Sequence, residues 1–439
     1  MKFGGSSLAN GAQIEKVVEI VRERGGPGVV VVCSAHKGIT DALLRAASDA
    51  VGGRIELAPI QRQREIIGEL EMPETELRPL FDELEKVLRG IALLRESSPR
   101  VMDYVQSFGE RMSVRAVAHA LRRAGLKAEA QDAFDIGFIT DDRHGHARPL
   151  PGQESEMQAA FGRLPKDLVP VVTGFIGRTT AGEITTVGRN GSDFSASVIA
   201  AALDADECQI WTDTNGVMTA DPGLCPDAQS IPSMSFAEAS ELALYGGRVL
   251  HPSTLLPAIK KQIPVRVLNT NHPDHPGTVI TEDAPTRSPI TSIAYKEGAT
   301  VITVASTTML GQPGFLAKIF DVLGRSRVDI DMISTSEVTV SMTTRQSIAG
   351  LPVEEELQSF GKVTIERGRT LICIVGRKLR SEPGIAARVF AALRDAGVNV
   401  EMISHGANNI NLSLMVRDGE VPRAVPALHQ ALFPEPELA

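Results

Sequence analysis

Residues 29–34 read VVVVCS, four valines and a cysteine with no polar position before Ser34. A strand with one wet face alternates apolar and polar residues. This run does not alternate, so it must be covered on both faces, as in a parallel sheet flanked by helices. The pattern recurs along the chain. LVPVVTGFIG (168–177), ECQIWTD (207–213) and PVRVLN (264–269) read as further strands, with a shorter one near 127–131. Helices fall between them. Residues 14–24 place Ile14, Val17, Val18 and Val21 on one face at helical spacing, and others read at 108–124, 192–203, near 235–245 and near 253–260. The alternation predicts a three-layer α/β/α domain with a mostly parallel sheet over 1–283. A charged helical insertion at 52–100 reads as a lid or an interface element.

After a polar, Pro-containing linker at 284–290 the chain repeats itself. PGFLAKIFDVLGRSRVDIDMIS (313–334) matches PGIAARVFAALRDAGVNVEMIS (383–404) at a constant offset of 70 residues. Each copy reads Pro-Gly, helix, turn, strand, with apolar strands before and after. The repeat predicts two ferredoxin-like α+β modules over 291–439. A duplicated scaffold and a paired effector-binding module both fit at this point.

Composition narrows the class. The formal net charge of −9 and an aromatic content of 4% oppose a nucleic-acid surface. Cys33, Cys208, Cys225 and Cys373 are scattered without ligand spacing, which suits reduced thiols in the cytoplasm. No apolar run reaches membrane-spanning length, and no signal peptide is expected.

Four Gly-centred loops follow strands: KFGGSS (2–7), TGFIG (173–177), GRNGSDFS (188–195) and TDTNGV (212–217). One such loop is an ordinary turn. Four at the carboxyl edge of one α/β sheet point to a ligand. GRNGSD opens into an Ala-rich helix whose N-terminus suits a phosphate. Lys2 and Arg189 could supply the positive charge that phosphoryl transfer needs. Glu110, in SFGERMS, is expected at a helix start. It reads either as a dipole partner there or as the holder of a substrate ammonium. No Walker motif, dinucleotide fingerprint, protein-kinase signature, catalytic triad or zinc spacing is present, and the loop histidines, His144 and His146 among them, read as structural.

KFGGSS, SFGERMS, TGFIG, GRNGSD, WTDTNGVMTADP and FAEASELALYGGRVLHPSTLLPA together resemble the aspartate kinases of the amino-acid kinase superfamily, and the repeat looks like their paired ACT domains. STSEVTVSM (334–342) resembles the lysine-sensitive type. The resemblance implies ATP- and Mg²⁺-dependent phosphorylation of the L-aspartate side chain to 4-phospho-L-aspartate, the first step of the aspartate-family pathway. It implies Lys2 and Asp193 as catalytic residues, and Ser34, Thr40, Glu110, Phe175 and Arg189 around aspartate. Gly4, Gly5, Ser6, Gly191, Ser192, Thr212, Asp213 and Arg248 would hold nucleotide and phosphate, with no protein metal ligands assigned. Met309, Gly314, Phe315, Leu316, Asp331, Ser336 and Glu337 would bind L-lysine as feedback inhibitor. The first ACT module (306–369) looks inserted into the second (291–305 with 370–439). The second has Gly406 and Ala407 in place of the Ser-Glu pair, which implies contact in a homodimer, or a tetramer.

Three departures stand against the pattern. Gly223 replaces an expected nucleotide-contacting Arg, and Arg248 replaces a Lys. Several strand residues normally precede KFGG, where this chain has Met1 alone. The expectation is therefore a late start, a missing central strand and a mobile Lys2. Two alternatives stay open: a kinase of glutamate or acetylglutamate, and an inactive kinase-like protein that senses an amino acid or partners another subunit.

Overall fold

The computed structural model describes residues 1–26, 28–245, 252–285, 288–309, 312–379, 381–405 and 410–433. The chain divides into two compact units. One comprises Met1–Val217, Ser230–Phe236 and Val249–Ala284; the other comprises Met218–Gln229, Ala237–Arg248 and Pro285–Ala439.

The first unit begins β1 (Lys2–Phe3), α1 (Gly11–Arg24), β2 (Val31–Cys33) and α2 (Ile39–Val51). The insertion follows as α3 (Ala58–Glu69) and α4 (Arg78–Leu94), then α5 (Pro99–Arg123) and β3 (Ala128–Gln131). Next come α6 (Glu154–Gly162), β4 (Val169–Thr173), an antiparallel ribbon of β5 (Ile176–Arg178) and β6 (Ile184–Thr186), α7 (Gly191–Ala202) and β7 (Cys208–Thr212). β8 (Ser233–Met234), α8 (Phe236–Leu244), α9 (Pro252–Lys261), β9 (Val265–Asn269) and β10 (Thr278–Ile280) complete the series, most of α8 counting with the second unit. The main sheet runs β3-β4-β2-β1-β7-β9-β10-β8 and is parallel except where β10 meets β9. α5 packs on β2, β3 and β4, while α7 packs on β1, β2 and β7.

The expectation of a missing central strand is corrected. Lys2 and Phe3 themselves fill it, paired in parallel with Val32 and Cys33 on one side and with Ile210 and Trp211 on the other. Alternation along a strand then sorts the two side chains. Phe3 is fully buried in the core beneath α1, α2 and α5, where its ring stacks on Trp211 at 5.9 Å. Lys2 points to the α7 side, where it is buried and ion-paired to Asp193.

The insertion is not a detached lid. Ile66, Leu70, Leu77, Phe81, Leu84 and Leu88 join the same core as Phe3. Glu69 Oε2 accepts from the Gly11 N–H, and Arg123 donates to the Leu70 carbonyl at 2.7 Å.

The second unit contains β11 (Ser292–Ala305), α10 (Phe315–Arg325), β12 (Met332–Thr335), β13 (Thr339–Thr344), α11 (Pro352–Gln358) and β14 (Lys362–Val375). The second copy gives α12 (Ile385–Asp395), β15 (Met402–Ser404), β16 (Asn411–Arg417) and α13 (Val421–Leu432). All six strands form one antiparallel sheet in the order β12-β13-β11-β14-β16-β15. The 70-residue offset is kept by α10 and α12, each entered through a left-handed glycine, Gly314 or Gly384. The long strands β11 and β14 serve both copies. Their outer halves pair at Val301–Ala305 with Lys362–Glu366, and their inner halves at Ser292–Lys296 with Leu371–Val375. Separate cores lie under α10 with α11 and under α12 with α13. No described helix is long and apolar enough to cross a membrane.

Phe3 is the only large apolar side chain that β1 places in the core. Phe3→Ala is therefore expected to cost about 3–5 kcal/mol of stability, read as a lower urea midpoint at unchanged slope. A loss below about 1 kcal/mol would mean that the short strand is held by its ladder bonds alone.

Candidate active site

The carboxyl ends of β1, β2 and β4 open, together with the start of α7, on a cavity of about 640 Å³. Of the residues assigned from sequence, Lys2, Asp193, Ser34, Thr40, Glu110, Phe175 and Arg189 line it, together with Gly5, Gly191 and Ser192. Several arrive by a short route from a strand end. Gly4 follows β1, and its N–H donates to the Trp211 carbonyl at 3.3 Å, drawing the KFGGSS loop over β7. Ser7 ties the same loop to β9 through Thr270, hydroxyl to hydroxyl at 2.7 Å. Ser34 follows β2, and Thr40 stands in the first turn of α2.

Lys2 Nζ lies 2.5 Å from Asp193 Oδ1, both side chains nearly buried. Asp193 is in the first turn of α7, where a carboxylate is favoured by the helix dipole and the leading N–H groups have no intrahelical partner. GRNGSD therefore does open a helix toward the cavity, but it follows the β5–β6 ribbon and not a strand of the main sheet.

Glu110 does not sit at a helix start. It lies in the middle of α5 and is 3% exposed, which removes the dipole reading. Its Oε1 accepts from the Ala35 N–H at 3.1 Å, while Oε2 is buried with no hydrogen-bond partner. Burial pushes its pKa up to about 8, against smaller opposing effects of the Ala35 N–H and of Lys2. A carboxyl group with an unused buried oxygen at a cavity wall suits an incoming cation.

Phe175 holds a positive φ of 65°, a strained conformation for an aromatic residue. Its N–H donates to Ser195 Oγ at 3.0 Å, and its carbonyl accepts from the Val187 N–H at 3.0 Å. Gly174, just before it, crosses α7 so closely that a Cβ would lie 2.5 Å from Ser192 Cβ. Arg189 is exposed on the cavity wall.

Gly4, Ser6, Thr212 and Asp213 stand outside this cavity's lining. Thr212 ends β7 and Asp213 follows it; neither lines the second cavity, of about 430 Å³, which is bounded by Asn215, Asn271, His272, Asp274 and His275. Gly223 is exposed, its N–H on Asp221 Oδ1 at 2.9 Å. Arg248, Gly406 and Ala407 lie outside the described residues.

Several residues of the main cavity were not assigned from sequence, among them His36, Lys37, Gly145, His146, Thr186 and Gly188. His36 is buried, its Nδ1 2.7 Å from the Leu8 carbonyl, and burial lowers its pKa to about 4. His36 and Lys37 follow β2 directly, a position at the ligand-binding edge that could have flagged them. Gly145 and His146 reach the cavity through tertiary packing that leaves no local trace.

In the second unit, Met309 packs against the core under α10, Phe315 is buried in that helix, and Leu316 is exposed beside it. Ser336 and Glu337 are exposed at the β12–β13 turn, where Ser336 Oγ lies 2.6 Å from Thr339 Oγ1. Asp331 Oδ1 holds the Lys296 ammonium at 2.7 Å.

The amino acid kinase family profile matches residues 1–269, and the ACT domain profile matches 302–353 and 372–432. The chain is 39% identical to chloroplastic aspartokinase 1 of Arabidopsis thaliana, over 100% of its own length and 81% of that protein. It is 34% identical to lysine-sensitive aspartokinase 3 of Escherichia coli, over 98% of both. E. coli aspartokinase III in complex with aspartate and ADP (R-state) superposes with a TM-score of 0.85 at 32% identity, covering 98% of this chain and 99% of the other. The same enzyme with lysine and aspartate (T-state) gives 0.78 at 32% identity, covering 98% of each.

The Glu110 carboxyl supplies a test that is independent of these likenesses. Its folded pKa of about 8 lies above the ordinary value of 4.5, so the folded state binds its proton more tightly than the unfolded chain. The sign is that of a penalty: stability is lost as pH rises from 4.5 through 8. Glu110→Gln is expected to be more stable than wild type at pH 9, the difference shrinking toward pH 4, as read from unfolding midpoints across pH. A difference independent of pH would place the carboxyl in an ordinary polar environment.

Proposed function

The chain belongs to the aspartokinases, within the amino acid kinase family, and we propose on that footing that its main cavity transfers the γ-phosphoryl group of ATP to the side-chain carboxylate of L-aspartate. The observation that carries the reading is the meeting of three groups around one cavity. They are the Lys2–Asp193 pair, the half-satisfied Glu110 carboxyl and the Arg189 guanidinium.

The assigned roles follow from charge. Glu110 takes the substrate ammonium on its unused oxygen, and Arg189 takes the α-carboxylate. Ser34, Thr40 and Phe175 complete the aspartate subsite. The side-chain carboxylate, with a reference pKa of about 3.9, is already ionised at neutral pH. Its oxygen attacks the γ-phosphorus as the bond to the β–γ bridging oxygen breaks, and ADP leaves with that electron pair. No proton has to be removed, so the site needs no general base. It needs positive charge and alignment. Lys2, steered by Asp193, and the leading N–H groups of α7 at Gly191 and Ser192 meet the phosphoryl oxygens. Gly4, Gly5 and Ser6 shape the cradle, and Thr212 and Asp213 hold the nucleotide, with Arg248 assigned to it as well.

Mg²⁺ is expected as the nucleotide's companion. Among the described residues no three potential ligands of the His, Cys, Asp and Glu types stand together. Asp193, at the cavity wall beside Lys2, would face the metal–phosphate group. The ion would neutralise phosphate charge.

We assign L-lysine as the inhibitor of the second unit, through Met309, Gly314, Phe315, Leu316, Asp331, Ser336 and Glu337. Asp331 already accepts one alkyl-ammonium, that of Lys296, which is the chemistry free lysine would present. Two copies of the chain would pair through the edges of this sheet. Ile333 on β12 and Ile403 on β15, equivalent in the repeat, are 42% and 48% exposed there. A cytoplasmic location fits the four free cysteines.

Full-length protein with ATP, Mg²⁺ and L-aspartate should yield aspartyl hydroxamate when hydroxylamine traps the product. The KM for aspartate should fall as pH rises toward 8, because binding the ammonium requires the Glu110 proton to leave. Absence of hydroxamate with folded protein that still binds lysine would favour the amino-acid-sensor reading instead. Lysine, and not threonine, is expected to lower the rate, and sedimentation velocity should show a dimer. Inhibition by threonine alone would remove the effector assignment, and a monomer at all concentrations would remove the pairing.

A further inference from the structure

Asp103 lies on α5 about two turns before Glu110, and it is 1% exposed. Its carboxylate gathers three segments of chain. Oδ1 accepts from Thr186 Oγ1 at 2.6 Å and from the Gly145 N–H at 3.0 Å. Oδ2 accepts from the Thr186 N–H at 3.1 Å and from the Gly145 N–H at 3.0 Å, and lies 2.8 Å from His144 Nδ1. Gly145, His146 and Thr186 all line the main cavity. The 144–146 turn in turn backs Gly188, a left-handed residue with φ of 84°. A Cβ on Gly188 would meet His146 Nδ1 at 3.0 Å and the Gly145 carbonyl at 3.3 Å. The next residue is Arg189, exposed and with no ion pair among the described residues, so the backbone beneath it sets where its side chain starts on the cavity wall.

We propose that Asp103 is a positioning residue for substrate recognition: by clamping the 144–146 turn and the end of β6 onto α5, it fixes the backbone from which Arg189 reaches into the cavity, and so the range of spacings between its guanidinium and the Glu110 carboxyl. It touches no substrate itself. The inference rests on the reading of Glu110 and Arg189 as the two groups that hold aspartate. Under that reading the spacing between them sets which amino dicarboxylate fits, because the ammonium and α-carboxylate are anchored while the side chain reaches for the phosphoryl group. A carboxylate suits the task. Every group it meets can donate, and an amide at the same place would turn one donor against the Gly145 N–H or the His144 ring.

The test uses the full-length enzyme. Asp103→Asn is expected to raise KM for aspartate at least about tenfold, with KM for ATP and kcat moving less than about threefold. It should also narrow the preference for aspartate over glutamate in kcat/KM. Thr186→Val, which removes one hydroxyl donor, should give a smaller shift in the same direction, and Thr186→Ser should restore it. If Asp103→Asn does not fold, the Thr186 pair carries the test. A lower melting temperature with unchanged KM and unchanged aspartate-to-glutamate preference in the folded variants would overturn the proposal and leave Asp103 a structural clamp. Arg189→Ala separates this outcome from failure of the site reading. If Arg189→Ala leaves KM for aspartate unchanged, the aspartate subsite is misassigned, whatever Asp103 does.

Discussion

The contact between Lys2 and Asp193 is the constraint on which the catalytic unit turns. One partner stands on the central strand of the sheet and the other in the first turn of the helix that covers it. Bringing them together fixes the depth at which α7 sits over β1, and with it the direction of the helix's leading N–H groups. Neither charge is cheap to bury alone. Each is tolerable because the other is present and because the cavity keeps one side of the pair open to a polar ligand. The same packing explains why Gly174 and Gly191 are glycines: β4, the ribbon and α7 approach within distances that leave no room for a Cβ.

Much of this could be read from the chain. The valine run at 29–34 and its counterparts specify strands covered on both faces, and the parallel sheet follows. The 70-residue offset is reproduced residue for residue in α10 and α12. What could not be read was depth and distance. Glu110 looked like a residue at a helix start because SFGERMS has no local mark of what precedes it. The helix in fact begins at Pro99, behind a Ser98 cap. Lys2 seemed unsupported because two residues are too few for a strand pattern, yet two residues paired on both sides are enough to complete a ladder. Asp103 and the 144–146 turn are about forty residues apart in sequence, and no periodicity links a buried carboxylate to a distant Gly N–H.

Cation supply and cation demand are kept apart in the two units. In the catalytic unit an acid with a buried, unused oxygen sits beside a cavity, and burial disfavours its ionised form. In the regulatory unit the corresponding acid, Asp331, is already occupied by a lysine of the chain. Under the proposed role of Glu110, the first arrangement would make recognition pH-dependent. Under the effector assignment proposed above, the second would make recognition an exchange of one ammonium for another.

The two fourteen-residue strands shared by both regulatory copies give that unit an unusual kind of indivisibility. In a tandem array joined by a linker, either member can be lost and the other still folds. Here each copy borrows half of β11 and half of β14, so neither owns a complete sheet. Gene duplication has in this sense become irreversible. Truncation after the first copy would strip β16 and β15 from the inner half of β14, leaving the apolar run Leu371–Val375 as an unpaired edge exposed to other chains. The pair must be inherited, synthesised and degraded as one object.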